Sequence, residues 1–217
     1  MIIFDNVSKS YHTRGGEKRI LDRQSFTIQR GQSLGICGRN GAGKSTLTRL
    51  ISGIEHPNSG KVTRQLSVSW PLGFGGAFQN SLTGADNTRF IARIYGQPLD
   101  DVLAFVEDFA ELGQYLRMPV KTYSSGMQAR LAFAISLAVN FECYLVDEIT
   151  AVGDARFRER CRIALEERRR QGTLVMISHD PHTLREHCDS GALLRDGRLI
   201  FYPSIDETIA AYEASLS

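Results

Sequence analysis

The fold of this chain is decided by the stretch Gly38-Arg39-Asn40-Gly41-Ala42-Gly43-Lys44-Ser45-Thr46. It matches the phosphate-binding loop pattern G-x-x-x-x-G-K-[ST]. Residues 33–37 before it indicate a short buried strand, and residues 47–51 after it indicate the first turns of a helix with an apolar face. This order of strand, glycine-rich loop and helix predicts a nucleotide-binding α/β domain.

The residue types in this loop suit phosphate chemistry. Glycines let backbone N–H groups turn inward, and the N-terminus of the following helix adds about half a positive charge. We expect the Lys44 ammonium group to reach the β- and γ-phosphates and the Ser45 hydroxyl to bind Mg²⁺. The stretch therefore predicts binding of a nucleoside triphosphate with magnesium.

Length and composition limit the classes of function. The 217 residues are enough for one domain with a substantial core, and a net charge of +2 gives no field that favours nucleic acid. The four cysteines lack metal-ligand spacing, which argues against a zinc site. No signal peptide is recognised before them, so we expect reduced thiols in a cytoplasmic protein. The longest apolar run, residues 131–146, is interrupted by polar residues and is too short for a bilayer span. A separate chain would have to supply any channel.

The hydrophobic periodicity indicates a mixed α/β chain. Glycine-rich turns separate the predicted strands, and Asp196-Gly197 predicts a type I′ hairpin. Three consecutive segments with helical periodicity suggest an inserted helical subdomain. Strands are predicted at 2–7, 18–28, 33–38, 61–69 and 173–178, and helices at 86–96, 100–117, 125–139, 156–171 and 205–215.

Two carboxylates and a histidine follow predicted strands. The apolar residues 143–146 run into Asp147 and Glu148, whose side chains point to opposite faces of a strand. One can hold Mg²⁺ while the other polarises an attacking water, although a solvated strand end is the alternative. His179 follows the strand 173–178 and can reach a γ-phosphate, or it is a structural histidine.

Other segments have a functional and an ordinary interpretation. Residues 123–127, Tyr-Ser-Ser-Gly-Met, place small residues before a helix, which is typical of a phosphate site and equally of a helix cap. Tyr11 can stack on adenine or cover the sheet. The glycine-rich residues 70–79 predict a contact loop or a turn. The arginines of the helix 156–171 favour a solvated face over nucleic-acid binding.

Taken in order, these segments resemble the nucleotide-binding subunit of ABC transporters over the whole chain. The Walker A loop is followed by a Q-loop at Gln79, a signature at 123–127, a Walker B strand ending at Asp147, Glu148, a D-loop at 151–154 and a switch histidine at His179. The resemblance implies one domain, 1–217, with a P-loop NTPase core, an N-terminal antiparallel β subdomain and a helical subdomain at about 86–139.

The resemblance also implies a role for each site residue. Asp147 would be the carboxylate associated with Mg²⁺, and Ser45 and Gln79 would also contact the ion. Glu148 would be the general base. Catalysis would then involve Glu148, His179, Gln79 and Lys44. The ATP contacts implied are Gly38, Arg39, Asn40, Gly41, Ala42, Gly43, Lys44, Ser45, Thr46, Tyr11, Ser124, Ser125 and Gly126.

Domains of this family pair head to tail, and each ATP lies between the Walker A loop of one and the signature of the other. One copy of each motif therefore implies a homodimer in which Ser124 and Gly126 complete the partner's site. The resemblance further implies an integral membrane permease as partner and a location at the cytoplasmic face of the bacterial inner membrane.

The departures from the usual motifs resemble one subgroup. The signature Tyr-Ser-Ser-Gly-Met, Ile149 after the glutamate and the D-loop Ala-Val-Gly-Asp are similar to those of polysaccharide exporters, and most of all to Gram-negative capsular polysaccharide export proteins. Further capsule export components are then expected as partners, and nucleic acid is not. The alternatives are exporters of the O-antigen or teichoic acid type, a soluble ABC ATPase and a P-loop kinase.

Overall fold

The computed structural model describes residues 1–13, 16–72, 78–147 and 154–216. The chain divides into two compact units. The first comprises Met1–Pro71, Phe141–Glu148 and Arg168–Ser217, and the second comprises Leu72–Asn140 and Ile149–Glu167. The predicted helical segment 86–139 falls inside the second unit.

The first unit contains two sheets. Its strands are β1 (Ile2–Thr13), β2 (Gly16–Ile28), β3 (Ser33–Cys37), β4 (Ser59–Arg64), β5 (Val68–Pro71), β6 (Cys143–Asp147), β7 (Thr173–Ile177), β8 (Ser190–Arg195) and β9 (Arg198–Tyr202). The smaller sheet is antiparallel with the order β2-β1-β4, and the larger has the order β5-β6-β7-β3-β8-β9. One apolar cluster draws residues from both sheets and from the helix that follows β3. The predicted α/β core with an N-terminal antiparallel sheet is confirmed.

The larger sheet is parallel except at one edge. The pairs β5–β6, β6–β7, β7–β3 and β3–β8 are parallel, whereas β9 returns antiparallel to β8. Asp196 and Gly197 both have positive φ angles, 49° and 75°, as the predicted type I′ turn requires. Every residue of β3 and β7 is buried, so these strands lie at the centre of the unit.

The helices are α1 (Lys44–Ser52), α2 (Gly84–Ile94), α3 (Leu99–Ala110), α4 (Ser125–Ala138), α5 (Ala155–Gln171), α6 (Pro181–His187) and α7 (Ile205–Ala214). The second unit contains α2, α3, α4 and most of α5. Its core includes Phe109, whose ring centroid lies 6.3 Å from that of Phe133 and 5.6 Å from that of Phe157.

Two predicted elements were wrong in extent. The single strand predicted at 61–69 is two strands in different sheets, because the backbone of Ser67 bonds to Glu142 between them. The helix predicted at 100–117 ends at Ala110, because Glu111 adopts a left-handed conformation with φ of 50°, and Gly113–Arg117 forms a 3₁₀ turn.

Two other elements differ from the prediction. Strand β1 extends past the predicted residue 7 through register shifts that break the alternation of its side chains. Helix α6 was not predicted, although Asp180 caps its N-terminus and Pro181 occupies its first turn.

Candidate nucleotide-binding site

The phosphate loop connects β3 to α1 in a shape that requires glycine. Gly43 has φ of +109°, and a Cβ atom there would lie 2.3 Å from Ile20 Cγ2. A Cβ on Gly38 would lie 2.8 Å from the backbone oxygen of Leu194, which belongs to a buried strand. Side chains at these two positions would therefore displace the loop from the sheet beneath it or from the strand beside it.

Lys44 is folded over the same loop. Its ammonium group donates to Gly38 O at 2.7 Å and to Arg39 O at 3.3 Å, and the residue is only 9% exposed. Ser45 is exposed in the first turn of α1. The lysine charge and the helix N-terminus thus meet at one place, which is the arrangement that binds phosphate groups.

The register of the parallel strands brings Asp147 to the level of this loop. Ile36 of β3 and Asp147 of β6 both pair with Ile177 of β7. Two strand spacings therefore separate the backbones of Ile36 and Asp147, which is roughly 10 Å. His179 is exposed two residues beyond Ile177. The phosphate loop, Asp147 and His179 thus lie along one edge of the sheet, as expected from the sequence; their catalytic roles stay predictions.

The donor set at this edge suits magnesium. Hydroxyl and carboxylate oxygens, such as those of Ser45 and Asp147, are the hard ligands that Mg²⁺ prefers, and it usually takes its remaining ligands from phosphates and water. In the part of the chain that the structure describes, no three His, Cys, Asp or Glu residues cluster as metal ligands.

Several predicted residues lie outside the described ranges. These are Glu148, which was predicted to be the general base, the D-loop residues 151–153 and the glycine-rich residues 73–77. Their roles remain predictions from the motif order. Asp154, the last D-loop residue, is described and caps α5 by accepting from Phe157 N at 2.9 Å.

Tyr11, the predicted adenine platform, lies in β1 near the start of α1. Its hydroxyl donates to the Glu55 carboxylate at 2.6 and 2.7 Å and lies 3.4 Å from Thr46 Oγ1. The ring packs against the core of the first unit, which agrees with the alternative that it covers the sheet. Stacking on adenine remains a prediction.

Strand β2 contributes two residues that the sequence analysis did not single out. Lys18 pairs with Tyr11 in the β1–β2 register, and its ammonium nitrogen lies 3.7 Å from where a Cβ of Gly41 would be. The Ile20 side chain packs against Gly43, where a Cβ would lie 2.3 Å from Ile20 Cγ2. Residues 18 and 20 share one face of a strand, so alternation was the available signal, but it could not show that this face covers the phosphate loop.

Gln79 belongs to the second unit, where a buried asparagine holds its backbone. Gln79 N donates to Asn87 Oδ1 at 2.9 Å, and Asn87 Nδ2 donates to Gln79 O at 3.2 Å and to Thr83 O at 2.9 Å. Asn87 is 3% exposed, whereas the Gln79 residue is exposed. Asn87 was missed because its partner is eight residues away in a loop with no periodicity.

The signature residues lie at the start of α4 in the same unit. Ser124 is the N-cap, and its hydroxyl accepts from Met127 N at 3.3 Å, so the helix-cap interpretation is confirmed. Tyr123 anchors this turn, because it is buried and its hydroxyl donates to Tyr115 O at 2.5 Å. Among the residues that the structure describes, a Cβ on Gly126 would meet only Ser124 Oγ, at 3.9 Å. Packing among the described residues therefore does not require glycine at 126.

Helix α4 is also joined to the end of the D-loop. Arg130 donates to Asp154 Oδ2 at 3.2 Å, and its guanidinium carbon lies 4.6 Å from the centroid of the Phe157 ring. Hydrogen bonds from the Phe157 backbone and the nearby positive charge of Arg130 lower the pKa of Asp154, against the opposing effect of burial. Asp154 is therefore charged at neutral pH.

A glycine-rich loop that runs from a central parallel strand into a helix, with a lysine folded over it and a carboxylate level with it, defines a P-loop nucleotide-binding domain. More narrowly, this chain belongs to the ABC transporter family, whose family model matches residues 21–151. It therefore belongs to a family of ATPases, which confirms ATP as the nucleotide expected from the sequence.

Individual proteins match over nearly the whole chain. The capsule polysaccharide export ATP-binding protein CtrD of Neisseria meningitidis serogroup B is 51% identical over 99% of both chains. The ATP-binding protein BexA of Haemophilus influenzae is 51% identical over 98% of both. A dimeric bacterial ABC transporter cassette superposes with a TM-score of 0.76 at 22% identity and covers 92% of this chain and 96% of its own. The last comparison shows the fold alone.

Across the four described ranges, no helix combines the length and the apolar character that a bilayer span needs.

Proposed function

We propose that this chain is the ATP-hydrolysing subunit of an ABC exporter that moves capsular polysaccharide across the bacterial inner membrane. The observation that carries the proposal is the full-length similarity to CtrD, at 51% identity over 99% of both chains. The phosphate loop at the edge of the parallel sheet supplies the ATPase chemistry. A separate permease supplies the path, and the chain sits at the cytoplasmic face of the membrane through that partner.

Two copies of the chain act together in this proposal. The loop residues and Lys44 hold the phosphates of ATP in one protomer, and Ser124 and Gly126 of the other protomer close over them. Two observations support this arrangement: α4 begins at Ser125, and a helix N-terminus favours an anion, while a Cβ on Gly126 would meet only Ser124 among the described residues. The cassette that shares this fold is itself described as dimeric.

The described residues have distinct tasks in the hydrolysis step. Lys44 stabilises the negative charge of the phosphates, and Ser45 and Asp147 are the residues that would hold Mg²⁺. Magnesium, when bound, neutralises charge on the phosphate oxygens and orients them. Glu148 accepts the proton of the attacking water, and His179 contacts the γ-phosphate. Loss of that phosphate removes the charge that held the dimer closed.

A permease surface is available in the second unit. Phe90 and Ile94 of α2 are 56% and 58% exposed, and Tyr95 beside them is 41% exposed. Phe90 and Ile94 are four residues apart and share one helix face. Exposed large apolar side chains on one face are typical of a protein contact.

The proposal is tested in the source organism by replacing Glu148 with Gln. Loss of polysaccharide from the surface with accumulation inside would support export, and an unchanged surface would overturn the capsule assignment.

Lys44→Ala is the second variant. Its affinity for ATP, measured by calorimetry, should be lost, and an affinity equal to that of the wild type would refute the role given to Lys44. A permease contact is also probed by crosslinking at Phe74 and Phe78, which belong to the contact loop predicted at residues 70–79.

The ATPase cycle has its own test with purified protein. Glu148→Gln is expected to bind ATP and remain a closed dimer, because binding is intact while the base is absent. Light scattering with and without ATP measures this. A variant that stays monomeric in saturating ATP would contradict the paired arrangement.

A further inference from the structure

A cluster of polar side chains joins Tyr11 to the phosphate loop. At its centre is Glu55, whose carboxylate accepts from the Tyr11 hydroxyl at 2.6 and 2.7 Å, from Lys9 Nζ at 2.7 Å and from Arg49 Nε at 3.0 Å. The Lys9 side chain is 9% exposed and that of Glu55 is 22% exposed. We call Lys9, Tyr11, Thr46, Arg49 and Glu55 the Glu55 cluster.

The cluster reaches the phosphate loop through Thr46. Arg49 Nη2 donates to Thr46 Oγ1 at 3.3 Å and to the Tyr11 hydroxyl oxygen at 3.4 Å. Thr46 is 5% exposed and ends the phosphate-binding stretch in the first turn of α1. The Tyr11 ring in β1 is therefore held at a fixed place relative to the loop that binds the phosphates.

Lys9 places a charge on one side of the Tyr11 ring. Its ammonium nitrogen lies 5.1 Å from the ring centroid and also donates to His56 O at 2.9 Å. An ammonium group at this distance is attracted by the face of an aromatic ring. Lys9 therefore occupies one face of the Tyr11 ring.

The charge state of Glu55 is fixed by its neighbours. Burial acts to raise its pKa, but hydrogen bonds from Lys9, Tyr11 and Arg49 outweigh burial and hold the pKa at about 2. The carboxylate is therefore ionised at every physiological pH and remains an acceptor for the Tyr11 hydroxyl. Charge-assisted hydrogen bonds of this kind are stronger and better defined in geometry than neutral ones.

We propose that Glu55 is a positioning residue for the nucleobase: by holding the Tyr11 hydroxyl against the first turn of α1, it sets the spacing between the stacking ring and the phosphate loop. This inference rests on the proposed nucleotide-binding function and on the role predicted for Tyr11, which is to stack on adenine. The protein must contact the triphosphate and the base of one ATP molecule at the same time, so an aromatic ring already fixed in place binds ATP better than a mobile ring.

A merely structural cluster would behave differently. If Glu55 only fastened β1 to α1, its loss would disturb the phosphate loop and weaken every ligand of that loop alike. If Glu55 positions the platform, its loss weakens ligands that carry a base and spares those that do not. The comparison of ATP with inorganic tripolyphosphate therefore separates the two roles.

The experiment measures the affinity of the full-length protein for both ligands with Mg²⁺ by calorimetry. Glu55→Gln keeps the shape but removes the charge, and Tyr11→Phe keeps the ring but removes the hydroxyl. Each is expected to raise the Kd for ATP about tenfold, as for a lost hydrogen bond to a charged group, with the Kd for tripolyphosphate changed less than about twofold. Glu159→Gln is the matched control, since Glu159 also pairs with an arginine but lies in α5 of the second unit.

The outcomes separate this inference from the function on which it rests. Equal weakening of both ligands, or unchanged ATP affinity in Glu55→Gln and Tyr11→Phe, overturns the positioning role. Tyr11→Ala tests the platform itself: unchanged ATP affinity in that variant refutes the adenine role. If Tyr11→Ala alone weakens ATP, the platform stands and the positioning role of Glu55 falls. Should Glu55→Gln fail to fold by circular dichroism, Tyr11→Phe decides the question.

Discussion

Replacing Gly43 with alanine should damage the phosphate loop through one identifiable contact. Gly43 is the N-cap of α1, with φ of +109° and ψ of 15°. The new Cβ atom would lie 2.3 Å from Ile20 Cγ2, 3.2 Å from Cδ1 and 3.4 Å from Cβ of the same residue. Since Ile20 is buried in the core of the first unit, its side chain has little room to move away.

The cost of this substitution has two parts. A left-handed conformation costs an L-residue about 1–2 kcal/mol, and forcing an extra methyl group into a packed site costs about 1–3 kcal/mol. Together they give about 2–5 kcal/mol. If the loop relieves this strain by leaving its binding conformation, affinity for ATP falls by at least about thirtyfold.

Two further variants isolate the steric part. Gly16 has φ of +111°, and no atom of the described ranges lies within 4 Å of its Cβ position, so Gly16→Ala carries the backbone cost without the contact. Adding Ile20→Ala to Gly43→Ala removes the contact and keeps the backbone cost. The single Ile20→Ala variant closes the double-mutant cycle, because it measures the cavity that this change creates.

Calorimetric titration with ATP and denaturant unfolding would be measured for all five proteins, the wild type included. We expect Gly43→Ala to bind far more weakly than Gly16→Ala, and the double variant to recover part of the lost affinity. The reasoning is refuted if Gly43→Ala binds ATP like the wild type, or if removing the Ile20 side chain restores nothing.

Three other changes have defined outcomes. Asn87→Ala should lower ATPase activity while leaving the Kd for ATP within about twofold, since it frees the Q-loop backbone at a cost of about 1–3 kcal/mol without touching the phosphate loop; a parallel loss of ATP affinity would contradict this. The pKa of Glu55 is about 2 in the folded protein against an ordinary value of 4.5, so the stability it contributes, on the order of 3 kcal/mol, is present above about pH 4.5 and is lost as the pH falls towards 2. Below about pH 4.5 the free energy of unfolding should therefore fall less steeply with pH in Glu55→Gln than in the wild type. Denaturant unfolding from pH 7 to pH 2 measures this, and equal slopes in the two proteins would contradict it. Ile94→Ser should weaken co-purification with the permease whereas Ile163→Ser, at an exposed isoleucine of α5, should not, and equal behaviour of the two variants would remove α2 from the contact.

Local sequence patterns determined much of this protein. The stretch from Gly38 to Thr46 was sufficient for the strand, loop and helix that follow one another there, because glycine and helix-start preferences act within a few residues. Asp196-Gly197 likewise determined its hairpin, since both residues tolerate positive φ. The motif order led to the family, and it remains the basis for the role of Glu148.

Only the tertiary structure decided which distant side chains meet. The alternation in residues 61–69 continues through a change of sheet, so the pattern could not show that Ser67 turns towards Glu142. The contact of Glu55 with Tyr11 joins residues 44 positions apart. Such contacts depend on how strands pair and pack across the chain, and hydrophobic periodicity records which residues are buried but not against what they are buried.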